Sequence, residues 1–592
     1  MFFANRRQFL RSIGPGAVAV SRSSTDGVCA LHRPCKDGRA IRLQADPYEV
    51  RNIIDTAAGP RSFARIAGGV KSGGAIPAKR TMNEVRWYNS RLNPPLPGAT
   101  SAKRAMNETR FTLFARHVLL RRVALSLLLL ISLGSADSMT FGGDRYIRPW
   151  DANRFFWQYQ GRPVLLVGGS DTVNLFQWNE TALRKQLDRL RAAGGNYVRN
   201  SMGSHYEGDV QPFAQCADGR YDLTRWNPEY WNRFERLLRM TQERDIIVQV
   251  ELWELWATYG EHWKQSPWNP VNNINYTTEN TRLAIAYPRP QYRNGTSYGK
   301  PTDFFLTLPE LQDDRLVLTY QKRFAEKLLQ HTLPYGHVLY CITNEIHPQY
   351  PPEWGWYWAR FIRQQAAGRP VFITEMYWTP DFQAAQHWAS LERPEVFDFF
   401  EASQNSALHD PEAHWRNLQY ARRRLASRPR PINHTKTYGA DSGPSWAGND
   451  RHAVECFWRS LIGGAASIRF HRPPAGLGLS DLAVRHLRSA RLLAEVFDFF
   501  RAVPGAEHRG LFGRAPNEAY LTSVPNEQYA IYFPDGGSVE LDLVEVPGSF
   551  TLRWLNIGES RWTPAQEVSG NARLELQAPA KGQWVAVLSL RK

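Results

Sequence analysis

The segment Val338-Leu339-Tyr340-Cys341-Ile342-Thr343 is apolar almost throughout and ends in Asn344-Glu345, a carboxylate with an amide beside it. Two further carboxylates stand in the same position after apolar runs, Glu375 behind residues 371–374 and Glu401 behind residues 396–400. A pair of carboxyl groups across a bond is the equipment for opening a glycosidic linkage. One protonates the leaving oxygen while the other serves as nucleophile or base. Glu345 is the expected general acid/base, with Glu401 and then Glu375 as candidates for the second carboxylate. Asn344 is placed to hydrogen-bond a sugar hydroxyl.

Other polar side chains sit at the ends of neighbouring runs: Asp171 after the first, Arg199 and Asn200 at the second, Glu251, Trp253 and Glu254 at the third. His347 follows the fourth, and His434, Lys436 and Tyr438 lie at the seventh. Any one of them serves an ion pair or a loop cap as readily as a ligand, but so many on one rim read together as a substrate-binding set. Trp253, Trp256, Trp354, Trp378 and Trp446 offer flat faces for sugar rings or for core packing. The five cysteines show no zinc spacing, and Cys341 and Cys456 read as packed thiols, so neither a metal nor an organic cofactor is implied.

These residues need a scaffold that collects run ends on one face. Eight apolar runs, at 164–167, 197–199, 246–252, 338–343, 371–374, 396–400, 432–435 and 466–470, alternate with amphipathic stretches such as 180–193, 228–243, 315–331, 353–365, 411–426 and 451–461. Strands buried on both faces read as continuous apolar runs, and eight of them alternating with helices predict an α/β fold, a (β/α)8 TIM barrel over residues 137–502. The rival, a doubly wound sheet, wants a Gly-rich phosphate loop after its first strand, which Gly168-Gly169-Ser170-Asp171 does not match. A long insertion at 253–313, rich in Trp, Tyr, Asn and Pro, follows the third run and is expected to shape a cleft. Beyond a helix at 480–501, short segments at 519–523, 529–533, 538–543, 550–556, 572–577 and 584–590 predict a small all-β sandwich over residues 503–592.

The net charge of +17 is concentrated at the front of the chain. Residues 1–136 carry 22 Lys and Arg against 7 Asp and Glu, which leaves the remainder at only +2. A nucleic-acid partner is therefore not expected, because its basic surface belongs on the folded domain. Residues 1–105 lack sustained periodicity and are expected to be a disordered N-terminal extension. Residues 106–136 form a signal peptide-like segment, with Arg116, Arg121 and Arg122 ahead of an apolar core from Val123 to Leu133 and the small residues Gly134-Ser135-Ala136. A core of about eleven residues is short for a membrane span. The expectation is a secreted or periplasmic protein with no stable span after signal removal, the alternative being a membrane anchor through residues 117–133.

Residues 146–501 resemble apiosidase-like glycoside hydrolases of the large retaining-barrel clan, through Gly168-Gly169-Ser170-Asp171-Thr172, Trp226-Asn227-Pro228 and Thr343-Asn344-Glu345. Residues 505–592 resemble the collagen-binding-like domain fused to such barrels, through Tyr532-Phe533-Pro534-Asp535-Gly536-Gly537, Ser538 to Leu543, Arg553-Trp554 and Lys581-Gly582-Gln583-Trp584. The resemblance implies an exported protein that hydrolyses a glycosidic bond in a carbohydrate, with a nucleophilic Glu at the end of the seventh strand. This chain has Lys436 there, and an ammonium cannot do a carboxylate's work. Either Glu375 or Glu401 supplies the second carboxylate, or the geometry differs, or the barrel binds glycans without cleaving them. Collagen degradation finds no support, since no His-Glu-x-x-His helix occurs.

Overall fold

The computed structural model describes residues 145–289, 291–293, 296–298, 301–505 and 510–591. The expected extension and the signal-like segment lie outside them. Eight strands form one parallel sheet: β1 Leu166–Gly169, β2 Tyr197–Ser201, β3 Ile247–Glu254, β4 Val338–Asn344, β5 Ile373–Thr374, β6 Phe400–Glu401, β7 Ile432–Thr437 and β8 Ser467–Phe470. Their spatial order is β5-β4-β3-β2-β1-β8-β7-β6. The ring closes where Asp398 N–H donates to Ile373 O at 2.8 Å and Thr374 Oγ1 to Phe399 O at 2.8 Å. This is the (β/α)8 barrel that the runs predict. Its strands are buried along their whole length because helices cover the outer face and side chains fill the inner one.

A helix follows each strand: α1 Glu180–Ala192, α2 Pro228–Gln242, α3 Arg315–Thr332, α4 Glu353–Ala366, α5 Ala385–Leu391, α6 Pro411–Leu425, α7 Asp450–Ile462 and α8 Asp481–Ala494. Their starts are written in the sequence. Asn179, Asn227, Asp314, Asp410, Asn449 and Ser480 each accept a first-turn N–H, and Pro228 and Pro411 occupy the first helical position, where no N–H is needed. None of the described helices is long and apolar enough to cross a membrane.

The strands after the barrel are β9 Val503–Pro504, β10 Leu511–Phe512, β11 Tyr520–Val524, β12 Gln528–Phe533, β13 Ser538–Asp542, β14 Ser549–Asn556, β15 Arg561–Trp562, β16 Gln566–Ser569, β17 Arg573–Gln577 and β18 Trp584–Leu590. One antiparallel sheet runs β9-β11-β12-β18-β14-β15, with β16 also on β14, and packs over a second of order β10-β13-β17. One face of the larger sheet closes the sandwich core around Ile531, Phe533, Phe550 and Trp554. Its other face joins the barrel core through Tyr520, Tyr532 and Val585. Tyr520 packs on Trp415 of α6 at 5.0 Å and Tyr532 stacks on Trp458 of α7 at 5.8 Å. Glu412 of α6 accepts from Arg514 at 2.5 Å, from Asn517 N–H at 2.8 Å and from the Tyr520 hydroxyl at 3.1 Å. Barrel and sandwich thus share one continuous core.

Candidate functional site

The carboxyl end of β4 carries the centre of the site. Glu345 follows the strand with φ of 60°, a left-handed conformation that costs a non-glycine residue about 1 kcal/mol and is held where the surroundings over-determine it. Its Oε1 accepts from Lys436 Nζ at 2.5 Å, Gln404 Nε2 at 2.8 Å and the Tyr438 hydroxyl at 2.9 Å. Its Oε2 accepts from Trp256 Nε1 at 2.9 Å. Burial alone would push this carboxyl upward, but the Lys436 ammonium and the other donors outweigh it and hold it at about 2. Glu345 is therefore an ionised carboxylate at neutral pH. Asn344 Oδ1 accepts from the same Lys436 ammonium.

Lys436 reaches this point because β7 is irregular. His434 pairs with Ile468 of β8 and Thr437 with Phe470, so β7 takes three steps where β8 takes two. One extra residue flips the inward and outward parity of a strand. Below the slip Asn433 and Thr435 face the lumen, where they meet Tyr197, Gln249 and Glu401. Above it Lys436 and Tyr438 face Glu345. The Tyr438 ring is packed edgewise by Trp446 at 5.3 Å and by His471 at 5.2 Å.

Beside this cluster, Arg199 of β2 grips Glu251 of β3 with two contacts of 2.5 Å, both side chains almost fully buried. Burial opposes the guanidinium charge, but Glu251, and then Glu254 and Glu345, keep it protonated. Glu254, at the end of β3, is bonded to His205 Nε2; burial would raise its carboxyl, yet His205 and Arg199 hold it at about 2. His347 lies against Trp378 at 5.1 Å, and burial lowers its imidazole to about 4.

The structure brings Glu345, Asn344, Lys436 and Tyr438 together, with Arg199 and Glu251 as their electrostatic neighbours, but sets His347 against Trp378 and scatters the other expected residues. Glu401 forms the floor of the lumen, accepting from Gln249 at 2.9 Å, Thr435 Oγ1 at 2.7 Å and Ser403 Oγ at 2.5 Å, and burial raises its carboxyl. Glu375 turns toward α4: its Oε1 accepts Thr343 N–H at 2.7 Å, and a Cβ on Gly355 would lie 2.6 Å from its Oε2. Asp171 is exposed and accepts Leu479 N–H at 2.7 Å, which ties down the loop before α8. Asn200 accepts Phe176 N–H at 3.1 Å behind β2. Trp253 packs outward among Phe324, Trp354 and Trp358 as core. His434 faces α7, 2.5 Å from Ser460 Oγ, and burial drives its imidazole to about 3. Of the residues outside the expected set, Gln404 stands in the turn just past β6 and His205 in the loop after β2, with proximity to a strand's carboxyl end as their only signal; Trp256, expected to offer a flat face to a sugar ring or to the core, donates its indole N–H to Glu345. Among the described residues no group of His, Cys, Asp or Glu could hold a metal ion.

No protein-family model and no curated protein matches the chain. Among solved structures, a glycoside hydrolase family 5 protein from Bacteroides vulgatus is similar, at 12% identity over 76% of this chain and 94% of that one with a TM-score of 0.52. Another, described as a glycoside hydrolase, is similar at 12% identity over 76% of this chain and 97% of that one, also with a TM-score of 0.52. At that identity the likeness speaks to the fold, a barrel architecture that glycoside hydrolases use.

Proposed function

We propose that the barrel mouth binds a carbohydrate and that the protein acts there as a glycoside hydrolase, with Glu345 as its ionised carboxylate. The observation that carries this reading is the convergence of Lys436, Tyr438, Gln404 and Trp256 on Glu345 at the carboxyl ends of β3, β4, β6 and β7, the face on which barrel enzymes keep their chemistry. Four donors on a buried carboxylate fix its orientation and keep it charged, which suits the base half of an acid/base role and not the acid half. Trp446, 56% exposed beside Tyr438, offers a face for a sugar ring.

A second reading, a glycan-binding barrel without hydrolysis, is favoured by one specific feature. Lys436 stands where the resemblance calls for a nucleophile, while Glu401 and Glu375 are engaged elsewhere. The test is a panel of aryl glycosides and oligosaccharides, apiose-containing ones included, assayed for turnover and for binding with wild type and Glu345→Gln. Turnover abolished by the substitution supports the hydrolase; binding without turnover supports the second reading; neither binding nor turnover removes both. Export and the collagen-binding-like character of the tail belong to the same proposal. They are checked by amino-terminal sequencing of the exported protein and by retention of the full chain on immobilised collagen.

A further inference from the structure

A hydrolase built on an ionised Glu345 lacks a proton for the leaving oxygen, and the carboxyl groups with raised pKa, Glu375 and Glu401, are turned to α4 and to the lumen floor. We propose that His205, oriented by Glu254, is that proton donor. The inference rests on the hydrolase reading and adds the acid to it.

Three observations place the dyad. Glu254 is the Cα partner of Asn344 across the β3–β4 ladder, so the pair stands beside Glu345 on the same rim. A Cβ on Gly203 would lie 1.9 Å from Glu254 Oε2 and 2.1 Å from His205 Nε2, so the backbone passes the dyad at a distance only glycine allows. His205 keeps 11% of its side chain exposed, while the cavity of about 70 Å³ that touches Glu254 is lined by Gly203, Trp253, Ala257 and His262 and by neither His205 nor Glu345.

The charges around His205 favour the imidazolium. Burial lowers its pKa, but Glu254 and then Asp209, which accepts the His205 backbone N–H at 2.7 Å, raise it above the ordinary range against the opposing charge of Arg199. The rings of His262 at 5.2 Å and Tyr206 at 6.3 Å complete its surroundings, and His262 is itself lowered, first by burial and then by His205. Nε2–H is held by Glu254, so the transferable proton is on Nδ1. As the bond from the anomeric carbon to the leaving oxygen breaks, that oxygen takes the Nδ1 proton and leaves as an alcohol. An incoming water bonds to the anomeric carbon and yields its proton to Glu345, which returns it through solvent to the imidazole. Glu254 is a positioning residue that keeps the imidazole charged between turnovers.

The test compares glycosides of one sugar with a poor leaving group (phenyl) and an activated one (2,4-dinitrophenyl), using wild type, His205→Gln and Glu254→Gln. His205→Gln is expected to lower kcat/KM by about 100-fold or more on the phenyl glycoside and by less than about tenfold on the activated one, which needs no acid. In Glu254→Gln the basic limb of the kcat/KM profile moves to lower pH. Equal losses on both substrates, or none, overturn the donor role while leaving the hydrolase reading intact. The His205 imidazole C–H resonance, assigned by its loss in His205→Gln, reports independently of turnover: an imidazole already neutral at pH 7 overturns the proposal. A wild type that turns over no glycoside defeats the parent reading and the donor role together.

Discussion

Replacing Lys436 by Met removes the cation from a buried pair, so that Glu345 must either stay charged without compensation or take up a proton in a site built for two opposite charges. The pair is 2.5 Å apart, with side-chain exposures of 2% and 10%. Breaking such a pair from one side costs roughly 3–5 kcal/mol, because the survivor stays buried without compensation. A second route gives a similar figure. Glu345 is held at about 2 against an ordinary 4.5, and at about 1.4 kcal/mol per pH unit that gap is worth ~3 kcal/mol. Because the folded pKa is depressed, this stability is fully present above pH 4.5 and is lost as pH falls through 4.5 toward 2. Urea denaturation followed by tryptophan fluorescence should therefore show Lys436→Met destabilised by about 3 kcal/mol at pH 7, with a smaller loss on going to pH 3 than wild type suffers. The double variant Lys436→Met with Glu345→Gln, which removes both charges, should recover most of the loss. A single variant within about 1 kcal/mol of wild type, with an unchanged acid limb, would refute the buried ion pair.

Tyr438→Phe removes one of the three donors to Glu345 Oε1, and a hydrogen bond to a charged group is worth ~1.5–3 kcal/mol, so the acid-side loss of stability should move to higher pH in the same denaturation series. Trp446→Ala should weaken glycan binding by about tenfold in titration calorimetry, the scale of one aromatic contact, while stability stays within ~0.5 kcal/mol because the ring packs on little else. Glu412→Ala leaves Arg514, Asn517 N–H and Tyr520 without their shared acceptor at the barrel–sandwich junction, and should lower one common melting transition by roughly 2–3 kcal/mol. A sandwich that melts separately in calorimetry would contradict the shared core.

The scaffold was legible because its signals are local. Runs buried on both faces must be continuously apolar, and each of the eight predicted runs overlaps a barrel strand, the run 396–400 only at Phe400, just as the six predicted tail segments overlap β11, β12, β13, β14, β17 and β18. The tail strands outside that pattern, β9, β10, β15 and β16, are two to four residues long, too short for any alternation to show. Glu345 could be picked out for the same local reason, since it closes the longest uninterrupted motif. Membership of the rim was harder. Asn200 and His434 lie next to inward-facing residues, yet strand parity turns both outward, against the helix layer. Trp253 shows the limit of composition, because a tryptophan at a strand end satisfies a core as well as it would a sugar.

What the sequence hid most completely is the electrostatic pairing. Regular alternation along β7 makes Lys436 an outward neighbour of lumen-facing Thr435; only the single-residue slip against β8 turns it and Tyr438 onto Glu345. That slip depends on a partner strand some thirty residues away and has no signature of its own in the chain. It also decides the chemistry. With Lys436 turned outward, Glu345 would be a buried carboxyl raised by desolvation, a natural proton donor. With Lys436 against it, Glu345 is an anion, and the proposed hydrolysis then needs its acid from another group. The lowered Glu345 carboxyl and the raised His205 imidazole thus belong to one arrangement, in which Arg199 is the shared electrostatic neighbour of Glu251, Glu254 and Glu345. A substitution that neutralises Arg199 should therefore disturb the protonation of both residues at once, whereas independent sites would respond one at a time.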